Sequence, residues 1–102
     1  MKNLLTNRTL SAFEKWYYET HCKSSIKFED LLLWQKAEVF DWLYSQCETI
    51  QYAFAVEFFD SVGIWREAFC ITDHDTLDGN IVTWQYTCLR ALEKANEILN
   101  NR

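Results

Sequence analysis

The scarcity of chain-breaking residues constrains this sequence most. It contains no proline and only two glycines, Gly63 and Gly79, so sharp reversals are most easily placed at those two points. A β-sandwich or barrel needs a turn about every ten residues and is therefore disfavoured. Aromatic residues make up 17% of the chain and can build the core of a small domain. We expect a single domain over 1–102, with a polar start at 1–8 that frays.

Apolar residues at helical spacing predict two helices in the first half of the chain. The first lies at about 10–21, behind a capping box formed by Ser11 and Glu14, and the second lies at about 27–44. Apolar residues mark two faces of the second helix, so we expect it to be packed on two sides. The two faces comprise Leu32, Lys36, Val39 and Leu43 on one side and Leu33, Ala37, Phe40, Tyr44 and Cys47 on the other.

The most apolar stretch, 50–64, supports two interpretations that its pattern leaves near even. Strict alternation is typical of a strand at 50–60, which would give a small antiparallel sheet packed by helices. A stripe of helical period instead predicts a helix at 46–62. That helix would end in a left-handed Gly63, with Ile64 packing back in a Schellman motif.

Beyond Gly63 the pattern predicts a β-hairpin and a closing helix. Residues 64–72 alternate like a strand, and the β-branched pair within 80–83 is the expected return strand. Apolar residues then keep a 3.6-residue period over 84–100, which predicts a C-terminal helix. The expected fold class is α+β, with three N-terminal helices, the hairpin and the final helix.

Acidic residues are concentrated in the middle of the chain. The whole chain carries a net charge of −5, and residues 31–80 contain nine acids but only two bases. Without a cationic stripe, tight binding to a nucleic-acid backbone is not expected, whereas a basic protein surface is a suitable partner. The start of the chain lacks the apolar core of a secretory signal, and no apolar run is long enough to cross a membrane. We therefore expect a cytoplasmic protein.

Two blocks, IQYAFAVEFFDSVGI at 50–64 and KANEILN at 94–100, together resemble a family of small proteins encoded by bacteriophages and prophages. Members tend to carry Q-aromatic-G-V-x-V-x-F-F-D-S-V-G-I and to end in a helix that starts with T-R-x-x-A-R, which Thr83 would begin here, and closes with K-A-N-E-I-Y-N. This chain departs from the pattern at Ala53, Trp84 and Leu99, where the family has Gly, Arg and Tyr. The resemblance favours the helix at 46–62 and implies a phage context. It carries no catalytic residue over.

Metal and catalytic sites have weak support in the spacing of candidate residues. The possible ligands, His21, Cys22, Cys47, Cys70, His74 and Cys88, include no C-x-x-C pair. The loop Asp73-x-Asp75-x-x-Asp78-Gly79 differs from a calcium-binding EF-hand loop because its third acid is one place late. We expect no cofactor, mostly buried reduced thiols and no enzymatic activity.

The candidate partner contacts combine aromatic and acidic residues. Three adjacent aromatics on one helix cannot all point inward, so at least one is expected to be exposed. The predicted partner-binding residues are Trp16, Tyr17, Tyr18, Glu57, Glu67, Asp73, Asp75 and Asp78.

The expected function is that of a phage-type host-defence inhibitor of the anti-CRISPR kind. Such a protein binds a host nuclease or ribonucleoprotein effector, such as a CRISPR effector, and blocks or locks it without catalysis. One alternative is an accessory or structural phage protein that self-associates, with a homodimer as its simplest form. A small metal-binding protein or enzyme is the second alternative.

Overall fold

The computed structural model describes residues 4–69 and 84–102, and within these ranges it contains helices and connecting segments but no strand. The elements are α1 (Asn7–His21), a 3₁₀ turn (Phe28–Asp30), α2 (Leu33–Ser45), α3 (Glu48–Ser61), α4 (65–69 as described) and α5 (Trp84–Asn100). The α+β prediction is therefore wrong.

Helices α1, α3 and α5 pack against one another around one core. Phe13 of α1 meets Phe58 of α3 edge to face, with ring centroids 5.6 Å apart. Leu92 and Ala95 of α5 are fully buried against this cluster. Edge-to-face aromatic pairs add attraction beyond the area they bury, so the bundle is organised by rings from α1 and α3.

The end of α3 follows the Schellman pattern that the sequence predicted. Gly63 has a φ of 77°, and its N–H donates to the carbonyl of Asp60 at 3.1 Å. The N–H of Ile64 donates to the carbonyl of Phe59 at 2.9 Å, and the Ile64 side chain is fully buried. The helix predicted at 46–62 is thus observed as α3, and the alternative strand at 50–60 is wrong.

The strand predicted at 64–72 is wrong in its described part, because 65–69 is helical. Buried Ile64 and Ala68 are four residues apart, and the rings of Trp65 and Phe69 lie 5.9 Å apart at the same spacing. Residues i and i+4 are about 6 Å apart on a helix face but about 13 Å apart along a strand, so the close contact of the Trp65 and Phe69 rings fits a helix. The remainder of that strand and the return strand at 80–83 lie outside the described residues.

The first helix begins earlier than predicted. α1 starts at Asn7, so Ser11 and Glu14 lie inside the helix and form no capping box at its start. Within the stretch for which fraying was predicted, Leu5 is fully buried and Thr6 is hydrogen-bonded.

Polar side chains of α5 hold the start of α1. Asn96 Oδ1 accepts the backbone N–H of Thr6 at 3.0 Å, and Asn100 Oδ1 accepts that of Thr9 at 3.0 Å. The side-chain amides of both asparagines donate to Thr6 Oγ1, at 3.2 and 3.1 Å. The first N–H groups of a helix lack partners within the helix, and α5 supplies partners for two of them here. We call Thr6, Thr9, Asn96 and Asn100 the α1–α5 clamp.

The single helix predicted at 27–44 is two separate elements, the 3₁₀ turn and α2. The Leu32 N–H donates to Gln35 Oε1 at 2.8 Å at the start of α2. Within α2 only Phe40 and Leu43 are buried. Leu33 is 86% exposed, so the prediction of packing on two sides is also wrong.

Candidate partner-binding surface on α2

An open groove lies between α1 and α2, with a volume of about 710 Å³. We call it the α1–α2 groove. Its lining residues are Glu14 from α1 and Leu33, Lys36, Ala37, Phe40, Asp41, Tyr44 and Ser45 from α2. This volume is within the range of ligand-binding clefts, and it exceeds what one side chain would fill. The groove can therefore receive several side chains of a partner.

Helical spacing places this lining on one side of α2. Leu33, Ala37 and Tyr44 are separated by four and seven residues, so they lie along one stripe. Phe40 is next to this stripe and is buried beneath it. The small Ala37 leaves space between Leu33 and Tyr44, and the exposed Asp41 follows Ala37 by one turn.

A carboxyl group and a phenol meet at the α1 side of the groove. Tyr44 OH donates to Glu14 Oε2 at 3.2 Å. Partial burial raises the pKa of Glu14, while the Tyr44 hydrogen bond and the nearby Lys36 charge oppose that rise. Burial and the neighbouring Glu14 carboxylate also raise the pKa of Tyr44. The groove therefore contains a half-buried acid, Glu14, and the cost of burying its negative charge exceeds the stabilisation of that charge by Tyr44 and Lys36.

Among the described residues, Lys36 is the one cation of the groove lining, and it already contacts an aromatic ring. Its Nζ lies 4.7 Å from the ring centroid of Phe28, in a cation–π arrangement. The two acids Glu38 and Asp41 are exposed on α2, and neither forms an ion pair within the part of the chain that the structure describes. The accessible charge beside the groove is consequently negative.

Large apolar side chains extend the surface beyond the groove. Leu32 is 56% exposed, Leu33 86% and Trp34 59%, all at the start of α2. Trp42, 52% exposed, lies near the other end of α2 and contacts the ring of Phe54 edge to face at 6.0 Å. The adjacent exposed apolar side chains at the start of α2 are typical of an interaction site. Trp42 follows Leu33 by nine residues and so lies on the opposite side of the helix.

The aromatic residues of α1 that were predicted to contact a partner lie away from the α2 surface, and their side chains are buried or partly buried. Tyr17 and Tyr18 are buried, and Trp16 is partly buried between Phe58 and His21. None of the three is an exposed ring, because α3 and α5 cover one side of α1 while the 3₁₀ turn packs beside it. Partner contact through these residues stays a prediction.

The predicted acidic contacts are dispersed where they are described. Glu57 is exposed and lies 3.4 Å from His21 Nε2, whereas exposed Glu67 pairs with Arg102 at 3.3 Å. Asp73, Asp75 and Asp78 lie outside the described residues. The structure thus does not bring Glu57 and Glu67 into one acidic site.

The candidate metal ligands form no cluster in the described ranges, where no group of three or more His, Cys, Asp or Glu side chains could hold an ion. Cys22, Cys47 and Cys88 are free thiols. Cys88 is buried as expected, but Cys47 is exposed. Burial raises the pKa of the Cys22 and Cys88 thiols, which disfavours the reactive thiolate. Cys70 and His74 lie outside the described part.

The sequence contained the signal for this surface in the two apolar faces of the second helix. The same pattern predicted packing within the chain, but an apolar face is equally suited to a partner protein. None of the helices in the described ranges is long and apolar enough to cross a membrane.

Comparison of the chain with known proteins found no match. No protein-family model matches the chain, and neither a curated protein nor a solved structure matches it.

Proposed function

We propose that this protein acts by binding a partner protein through α2, without catalysing a reaction on it. The observation that carries the proposal is the exposure of Leu33 and Trp34 beside the α1–α2 groove. Neither side chain belongs to the core formed by the described residues, so burial in that core does not account for their presence. Exposed Trp and adjacent apolar groups are the side chains that dominate binding energy in protein interfaces.

The partner class follows from the resemblance of 50–64 and 94–100 to phage-encoded proteins. On that basis we propose a phage-type inhibitor that works in the cytoplasm of a host bacterium. Its target would be a host nuclease or ribonucleoprotein effector, with an anti-CRISPR as the concrete form. Nucleases present cationic surfaces to their nucleic acids, and the exposed acids Glu38 and Asp41 are complementary to such surfaces.

Affinity capture tests the function directly. The tagged full chain is incubated with bacterial lysate, captured proteins are identified by mass spectrometry, and the nuclease activity of each is titrated with purified protein. We expect activity to fall to its limit at about one equivalent, because occlusion consumes one inhibitor per target. Inactivation of many targets by one molecule would instead show catalysis and would contradict the proposal.

Matched variants connect this function to α2. Leu33→Ser should weaken inhibition at least tenfold, since a central apolar contact is lost. Val62→Ser is the control, because Val62 is an exposed apolar residue at the end of α3, away from the groove lining. Equal inhibition by both variants would exclude α2 as the contact surface.

Self-association as an accessory phage protein is the second candidate function. Exposed Leu33 and Trp34 also suit an interface between two copies of the chain. A molecular mass that doubles with concentration, together with no captured host protein, would favour this candidate.

A further inference from the structure

The α1–α2 groove combines apolar walls with acidic edges, and these two properties together restrict what can occupy it. Ala37 and Phe40 provide apolar surface, while Glu14 and Asp41 place carboxyl groups in the same lining. An occupant that is apolar throughout would desolvate these acids without compensating their charge, which is costly. An occupant with cations beside its apolar groups would satisfy both parts of the lining.

The charge of the groove argues against a second copy of this chain as the occupant. Two copies related by a twofold axis place the same surface patch against itself. Glu38 and Asp41 of one copy would then approach Glu38 and Asp41 of the other, and like charges at close range are destabilising. Lys36 would offset this only in part, because each copy sets one lysine against the two acids Glu38 and Asp41.

We propose that the α1–α2 groove binds a basic amphipathic segment of a partner protein. Its apolar side chains rest on Leu33, Ala37 and Phe40, and an arginine or lysine from the same segment reaches Asp41 and Glu14. Trp34, at the edge of this surface, packs against the aliphatic part of a second basic side chain. This inference rests on the proposed function and specifies the chemistry of the partner.

A short fluorescein-labelled helical peptide built from leucine and arginine in an amphipathic pattern tests the inference. Binding to the full chain is measured by fluorescence anisotropy. Two peptides of the same length serve for comparison, one with every arginine replaced by glutamate and one with every leucine replaced by serine. We expect the leucine–arginine peptide to bind at least tenfold more tightly than either, since each comparison peptide meets only one property of the groove.

Charge-matched variants of the protein locate the binding. Asp41→Asn should weaken peptide binding about two- to fivefold at low salt, as expected for loss of an exposed charge pair. Asp60→Asn removes the same charge from an exposed residue of α3 outside the groove, and it should leave binding unchanged. Leu33→Ser should lower affinity about tenfold.

Several outcomes would overturn the inference. Equal losses of peptide affinity in Asp41→Asn and Asp60→Asn would show that the peptide is attracted to the net charge of the protein and not to the groove. Tight binding of the glutamate peptide would show that the occupant of the groove is not basic. A concentration-dependent dimer that Leu33→Ser abolishes would identify a second copy as the occupant. Capture from lysate is decided separately, so failure of peptide binding with successful capture rejects the groove chemistry and leaves the proposed function standing.

Discussion

The α1–α5 clamp and the outer surface of α2 use side chains in opposite ways. In the clamp, the polar Thr9 is completely buried, and its backbone and side-chain groups have partners on α5. On α2, the apolar Leu33 and Trp34 face solvent. The described part of the chain leaves no buried side-chain nitrogen or oxygen without a hydrogen bond. Internal contacts therefore explain the clamp, whereas burial in the core of the described residues does not explain the apolar side chains of α2, which we assign by proposal to a partner.

The largest expected effect separates an aromatic residue of the core from one on α2. Phe58→Ala should lower the free energy of unfolding by about 3–5 kcal/mol, because Phe58 packs on Phe13 and Trp16 and leaves a cavity when truncated. Trp34→Ala should change it by less than about 0.5 kcal/mol. Urea denaturation followed by circular dichroism measures both. A large loss of stability in Trp34→Ala would show that its exposed ring supports the fold.

The next prediction compares a buried and an exposed leucine of α2. Leu43→Ala should cost about 2–5 kcal/mol, because this leucine is fully buried. Leu33→Ala, on the same helix, should cost no more than about 0.5 kcal/mol. The midpoint of urea unfolding gives the comparison, with equal denaturant slopes as the requirement for a two-state analysis. Similar costs for the two leucines would contradict one-sided packing of α2.

A third substitution tests the clamp. Asn96→Ala should cost about 1–3 kcal/mol, since the Thr6 N–H loses the acceptor that now lies at 3.0 Å. Asn101→Ala is the matched control, because Asn101 is exposed and should be neutral within about 0.5 kcal/mol. Hydrogen exchange at the start of α1 should accelerate only in Asn96→Ala. Unchanged hydrogen exchange at the start of α1 in Asn96→Ala would mean that water replaces the Asn96 side chain as acceptor with no loss of stability.

The smallest effect is a pH dependence that originates at Glu14. Its pKa is raised in the folded state above the ordinary value of 4.5, so the folded chain holds this proton more tightly than the unfolded chain. Stability from this group is therefore complete below pH 4.5 and is lost as the pH rises through the folded-state pKa. Glu14→Gln should remove that decline while keeping an acceptor for Tyr44.

Thermal unfolding from pH 4 to pH 7 measures the difference between the chain and Glu14→Gln. We expect the variant to gain slightly in relative melting temperature as the pH rises. A relative loss with rising pH would show that the Tyr44 hydrogen bond and Lys36 outweigh the burial of Glu14. Glu38→Gln, which alters an exposed acid of α2, serves as the control.

Local signals with a fixed stereochemistry were predictable from the sequence. Gly63 followed by the apolar Ile64 marked the end of α3, and the 3.6-residue period at 84–100 predicted the bounds of α5. Both signals depend on neighbours within a few residues. The strand prediction failed over the described residues 65–69 because a short apolar stretch fits both periods, and the i,i+4 pair of Ile64 and Ala68 is compatible with a helix as well as a strand.

Features that depend on distant residues were not predictable in this way. The helical period at 84–100 indicates no role for Asn96 and Asn100, although their i,i+4 spacing puts them on one face of α5. Their partners Thr6 and Thr9 lie at the other end of the chain. The exposed face of α2 had a clear apolar pattern, but no pattern within one chain indicates whether the surface that covers it belongs to the same molecule.

The clamp also has a consequence for the order in which the chain folds. Thr6 and Asn96 are separated by 90 positions, so closing this contact requires almost the whole chain to be in place. The entropic cost of closure increases with the length of the intervening segment, and α1 must wait for α5 before its first N–H groups find these acceptors. During synthesis the start of α1 therefore depends on residues that are made 90 positions later, so its anchoring is a late step in folding although it precedes α5 in sequence.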